Sequence, residues 1–280
     1  MSINRFGLSS SILKRVQTWF ISYTKGFEAK EPRSGDMMAL KIRHTHRVRR
    51  AVLDIGGELG LEPRELNLAD MTALLHDIGR FEQYERYRTF SDRLSVNHAL
   101  LGVDVCRREH ILHDLDEETA SLILRVISYH NLAAVPMDET PPCLFYSRLL
   151  RDADKLDIWN VVLQSYESPK KEQQSALFFD LPDLPNISNA VIESIRSGAI
   201  ANVGDMRTLN DFKLMHMSWV FDINFRRTFE IIQERRYVER LRDSLEDRET
   251  AEDVYRRVNR HCRRRITGEE CSMERGKDSE

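Results

Sequence analysis

An all-α protein is the expectation for this chain, and three observations carry it. Apolar residues recur at three- and four-residue spacing along most of the 280 residues, the signature of helices with one buried face. Alternating Val/Ile/Thr/aromatic runs, which would mark strands, are almost absent. The breakers fall between the periodic segments rather than inside them: Glu-Pro-Arg at 31–33, Gly-Leu-Glu-Pro at 60–63, Gly79, Pro136, Pro141-Pro142 and Leu-Pro-Asp-Leu-Pro at 181–185.

Taken in order, the pattern predicts helices near 9–24, 37–60, 68–78, 96–108, 117–130, 142–166, 187–197 and 208–232, then a charged one near 234–264. The last dozen residues, rich in Glu, Gly, Lys and Ser, read as a frayed tail. Residues 1–35 are expected to form an N-terminal helix and linker, 36–165 a chemical core, and 166–280 a helical extension packed on that core or serving a homodimer.

Composition narrows the class. Apolar residues are 41% and charged residues 31%, with a net charge of −3. That suits a soluble globular protein and gives no reason to expect nucleic acid or anionic lipid as partner. The basic runs Lys41–Arg50 and Arg256–Arg265 read as solvated helix faces. The four cysteines (Cys106, Cys143, Cys262, Cys271) show no metal-finger spacing, which favours free thiols. Ile12–Tyr23 is too interrupted by Lys14, Arg15 and Gln17 for a signal peptide, and no stretch approaches a membrane span. A cytoplasmic location without membrane attachment is expected.

The chemistry begins at Leu74-Leu75-His76-Asp77-Ile78-Gly79. An apolar helix runs into a His-Asp pair and meets a glycine suited to the left-handed C′ position. Burying an imidazole and a carboxylate is costly unless something compensates them, and a metal ion does so. His44 lies on the stripe of Val48, Ala51 and Ile55, whereas His46 points about 200° away and is expected at the surface. His98 shares a face with Leu101, Gly102 and Val105, and His130 with Ile123, Val126 and Ile127. Asp154 stands between Leu150 and Ile158. Five helices thus each turn a metal-type ligand inward. One or two such residues would be ordinary satisfied core groups, but the whole set favours a shared centre. His110, His113, His216 and His261 sit in mixed contexts and read as outside it.

These residues resemble the HD-domain superfamily of metal-dependent phosphohydrolases. The family's His, His-Asp and later Asp match His44 in His44-Thr45-His46-Arg47-Val48, His76-Asp77, and Asp154 in Asp152-Ala153-Asp154-Lys155-Leu156-Asp157. His98 and His130 are similar to the histidines that complete a second metal position in the binuclear branch, and the likeness extends to uncharacterised bacterial HD hydrolases. The chain departs from the cyclic-dinucleotide phosphodiesterases, since His130-Asn131-Leu132-Ala133-Ala134-Val135-Pro136 lacks their Gly-Tyr-Pro motif.

The resemblance implies one or two divalent ions (Mn, Fe, Co, Ni, Zn or Mg) held by His44, His76, Asp77, His98, His130 and Asp154. The implied reaction is hydrolysis of a phosphomonoester or phosphodiester of a small, nucleotide-like or phosphorylated metabolite. Asp77 shares two ions and positions water, while Arg80 and Lys155 serve as catalytic cations. Arg80, Arg93, Asn131 and Lys155 are the expected substrate contacts. Asp152 and Asp157 are given to orienting the ligands or to a surface face. The alternatives are a di-iron oxygenase of the same superfamily and a regulatory binding module without turnover. In the extension, Met217–Phe225 reads as core, with Asp222 and Asn224 seeking partners, possible ones lying on the HD core.

Overall fold

The computed structural model describes residues 6–30, 35–167 and 181–268. The Glu-Pro-Arg breaker, the terminal tail and Cys271 lie outside these residues. Every regular element among them is a helix, and none is long and apolar enough to cross a membrane. The chain divides into two compact units, Met1–Asp180 and Leu181–Glu280.

The first unit holds α1 (Ser10–Lys30), α2 (Gly35–Glu58), α3 (Pro63–Leu75), α4 (Gly79–Tyr87), α5 (His98–Arg108), α6 (Glu117–Tyr129) and α7 (Pro141–Glu167). Helix starts follow from local chemistry. Pro63 opens α3, where the Glu62 N–H donates to Glu65 Oε2 at 2.8 Å. Asn97 caps α5 by accepting from the amides of Ala99 and Leu100, and Asp116 caps α6 by accepting from Thr119. Helix α2 packs on α3 and α7, which also meet α6, while α5 bridges α4 and α6. The shared core is Val48, Val52 and Ile55 of α2, Leu68, Met71 and Leu74 of α3, Ile123, Val126 and Ile127 of α6, and Leu150, Leu156 and Trp159 of α7, all buried. At about 1.5–3 kcal/mol per fully buried large side chain, this packing dominates the stability of the unit.

Helix α4 was not expected. His76 and Ile78 keep right-handed helical dihedrals through the turn that joins α3 to α4, so the chain kinks without a breaker. Gly79 is correspondingly not a left-handed cap. It begins α4, and a Cβ there would lie 2.2 Å from the His98 carbonyl oxygen and 2.6 Å from the Gly102 nitrogen. The glycine is required by the close approach of α4 to α5. The left-handed residue that ends α4 is Arg88, at φ 56°. His46 also differs from expectation: helix α1 packs on α2, and the half-buried ring meets Phe20 edge-on at 6.3 Å.

The second unit contains α8 (Asn189–Ser197), α9 (Leu209–Ser218), α10 (Arg226–Glu234), α11 (Tyr237–Asp243) and α12 (Arg248–Thr267). Ala251, Val254, Val258 and Cys262 form the buried stripe of α12, which packs against the other four. The helix expected over 208–232 is interrupted. Ser218 Oγ donates to the Met215 carbonyl at 2.6 Å and accepts from the Ala201 amide at 3.0 Å, drawing the chain away from the α-ladder. A 3-10 turn, Trp219–Asp222, follows. Asn224 Nδ2 donates to the Asp222 carbonyl, and the Asn224 backbone carbonyl accepts from Arg265 Nη2 on α12. The expected helix over 234–264 is also two, α11 and α12, split between Ser244, which ends α11, and Asp247, which caps α12; left-handed Arg236 stands just before α11.

Candidate metal centre

The site lies where α2, the α3–α4 turn, the start of α5, the end of α6 and the middle of α7 meet. Asp77, in the turn, is its hub. Its Oδ2 faces His44 Nε2 at 3.4 Å and His76 Nε2 at 3.8 Å, and its Oδ1 faces His98 Nε2 at 3.3 Å and His130 Nε2 at 3.7 Å. On the first side His44 Nε2 also lies 3.2 Å from both His76 Nε2 and Asp154 Oδ1. On the second, His98 Nε2 and His130 Nε2 are 2.9 Å apart. Two ligand groups therefore share one carboxylate: His44, His76 and Asp77, and Asp77, His98 and His130, each with ligand atoms within 4.8 Å of one another. Ligands on a common ion at bond lengths near 2.1 Å stand roughly 3.0–3.5 Å apart, close to most of these separations.

The orientation of each ring is fixed from behind. His76 Nδ1 donates to the Ala73 carbonyl and His130 Nδ1 to the Ile127 carbonyl, at 2.8 and 2.7 Å. His98 Nδ1 donates to Asp92, 2.7 Å from Oδ2, and His44 Nδ1 to Asp157 Oδ2 at 2.7 Å. A ring whose Nδ1 donates to oxygen offers a lone pair at Nε2. At the His98–His130 pair, then, two lone pairs face each other beside a carboxylate. A cation relieves that repulsion, and burial together with Arg80 pushes the His98 pKa down to about 3, so a proton does not readily serve. Burial likewise pushes His76 down to about 4. Burial opposes the charge of Asp77, but Lys41 and the surrounding imidazoles outweigh it and hold the carboxyl well below its ordinary value. His44 is the exception: burial and Lys41 pull it down, yet Asp154 and Asp157 raise it on balance. The donor set of four imidazoles and two carboxylates without thiolate suits a divalent metal.

Supporting groups complete the wall. Arg47 pairs with Asp157 through Nε and Nη2. Asp92 collects His98, Arg80, Gln83 and Asn131. Arg151, from α7, donates to the carbonyls of His130, Leu132 and Ala133 and so pins the turn after α6. The expected solvated face over Lys41–Arg50 is thus instead largely paired inward: Lys41 with Asp77, Arg47 with Asp157 and Arg49 with Asp70. Buried carboxylates require such partners.

Of the residues singled out by sequence, His44, His76, Asp77, His98, His130 and Asp154 converge, with Arg80 and Asn131 at the same cluster. Arg80 Nε lies 3.4 Å from Asp77 Oδ1. Asn131 Nδ2 reaches Asp92 and Asn97, while its Oδ1 is buried with no hydrogen-bond partner among the described residues. Arg93 is exposed on the 3-10 turn Asp92–Leu94, and Lys155 is buried on α7 one residue past Asp154. Asp157 stands directly behind His44. Sequence reasoning passed over Lys41, one turn before His44 on the same stripe, and Asp92, whose aperiodic loop carries no such signal.

Neither a curated protein nor a solved structure matches this chain. Residues 42–159 match the family described as HD domain, a span that contains all six converging ligands and runs from α2 into α7. The chain therefore carries an HD domain, the helical fold of the HD superfamily, over these residues.

Proposed function

We propose that this HD domain is a phosphohydrolase that uses divalent metal to cleave a phosphomonoester or phosphodiester of a small, nucleotide-like or otherwise phosphorylated metabolite. The observation that carries this reading is the placement of Asp77, each of whose oxygens faces its own pair of imidazole nitrogens. His44, His76 and Asp154 would hold metal on one side of it, and His98 and His130 on the other. Divalent metal held by these residues would supply Lewis-acid activation of water for attack on phosphorus.

The chain's own residues do the positioning. Asp157 and Asp92 hold the Nδ1 protons of His44 and His98, fixing tautomer and ring plane from outside the ligand set. Arg151 holds the His130 turn in place by gathering its carbonyls. Asn131 Oδ1, buried and unpartnered, is a ready acceptor for a substrate hydroxyl or a bound water.

The experiment is a metal assay by mass spectrometry joined to a panel of phosphomonoesters and phosphodiesters under nitrogen, on wild type and Asp77→Ala. Phosphate release by wild type, lost together with metal in a variant that stays helical, supports the reading. Turnover that persists undiminished in the variant, or no release by wild type from any substrate, overturns it.

A further inference from the structure

Lys41 differs from Arg80 and Arg47, the guanidinium groups that pair with carboxylates of the site. Its Nζ donates to Asp77 Oδ2 at 2.8 Å, the oxygen that also faces His44 and His76, and it lies 5.4 Å from the centre of the Phe90 ring. Arg80, by contrast, is tied down: Nη1 donates to Gln83, to the Phe90 carbonyl and to Asp92, and Nε faces Asp77. Arg47 is committed to Asp157 by two hydrogen bonds. An ammonium has three donors, and among the described residues Lys41 has one hydrogen-bond partner, Asp77. Its side chain is 15% exposed, as is that of Arg80, against 3% for Asp77, so what separates the two cations is the number of hydrogen bonds already made and not burial.

Charge points the same way. With neutral imidazoles the carboxylates at and beside the cluster, Asp77, Asp92, Asp152, Asp154 and Asp157, are balanced by Lys41, Arg47, Arg80, Arg151 and Lys155. Any divalent ion makes it net positive, and a buried net positive site favours an anion. We propose that Lys41 is a substrate-binding residue, the ammonium that takes a phosphoryl oxygen of the ligand beside Asp77 Oδ2, with the Phe90 ring flanking it. This rests on the metal-dependent reading of the site and names the residue that recognises the phosphoryl group within it.

The test uses the full chain loaded with manganese, comparing wild type, Lys41→Met and Lys41→Arg for metal content, helicity and binding of inorganic phosphate by calorimetry. A charge-assisted hydrogen bond of this kind predicts phosphate affinity roughly 10- to 100-fold weaker in Lys41→Met at unchanged metal content, with Lys41→Arg recovering most of the loss. Phosphate affinity in Lys41→Met close to that of wild type overturns the proposal. So does loss of metal in that variant, which would make Lys41 a support for Asp77, and so does a wild type that binds no phosphate. Binding is read without turnover, so failure of hydrolysis in the substrate panel remains a separate result.

Discussion

Two regions of this molecule bury histidine in nearly the same local way and arrive at different chemistry. In the HD domain His76 and His130 each donate Nδ1 to a carbonyl three residues back. In the second unit His216 donates Nδ1 to the Phe212 carbonyl, four back, at 2.7 Å. All three are buried, and burial pushes both His76 and His216 down to about 4. The difference is in what surrounds the ring. His216 is packed between Phe212 and Trp219, with ring centres 4.3 and 4.4 Å away. His76 and His130 meet other imidazoles and the Asp77 carboxylate. A buried, neutral, backbone-bonded histidine is thus a common core solution, and convergence with carboxylates is what makes it a candidate ligand.

The sharpest way to break that contrast is Asp77→Ala, which removes the shared carboxylate. Bound metal should fall below about a tenth of the wild-type content and phosphate release by roughly 1,000-fold or more, with helicity by circular dichroism retained. Gly79→Ala comes next, because the new Cβ meets backbone of α5 rather than a flexible side chain. It should cost about 2–4 kcal/mol in urea unfolding and weaken metal binding by displacing His98. Normal stability would show that α4 and α5 separate freely.

Asp92→Asn keeps size but takes away the charge behind His98, and metal affinity by calorimetric titration should weaken about 10- to 100-fold. His216→Leu should leave metal content unchanged, and it should flatten the acid dependence of stability. In the folded chain His216 stays neutral down to about pH 4, whereas the unfolded chain takes up the proton near pH 6.5. Stability is therefore lost as pH falls through that window, by up to about 3 kcal/mol from this group, and urea midpoints of wild type and variant between pH 7 and 4.5 should converge at the acid end. The smallest effect is Gly26→Ala, in α1, where a Cβ meets nothing within 4 Å. It should stabilise the chain by about 0.5–1 kcal/mol without touching metal content, the opposite sign from Gly79→Ala.

Helical periodicity led the all-α reading and placed His44, His98, His130 and Asp154 on inward faces, because a repeat of 3.6 residues reports directly which positions face inward. The same signal identified His216 as a helix residue in a mixed context and said nothing of the Phe212–Trp219 slot that encloses it. The helix end at Ser218 escaped notice because its cause, the hydroxyl bridging to the Ala201 amide, involves a partner distant in sequence, whereas the boundary expected after 232 falls close to the junction of α10 and α11.

Sequence by itself determined the helical class, the inward direction of the ligands and the match of residues 42–159 to the HD domain. Only the tertiary structure decided that Gly79 serves a close helix crossing, that Lys41 and Asp92 belong to the site, and that the basic run of α2 is spent on buried carboxylates. The reason is physical: periodicity encodes how far a side chain is from water, whereas the partner it meets there is set by which helices the packed core brings together.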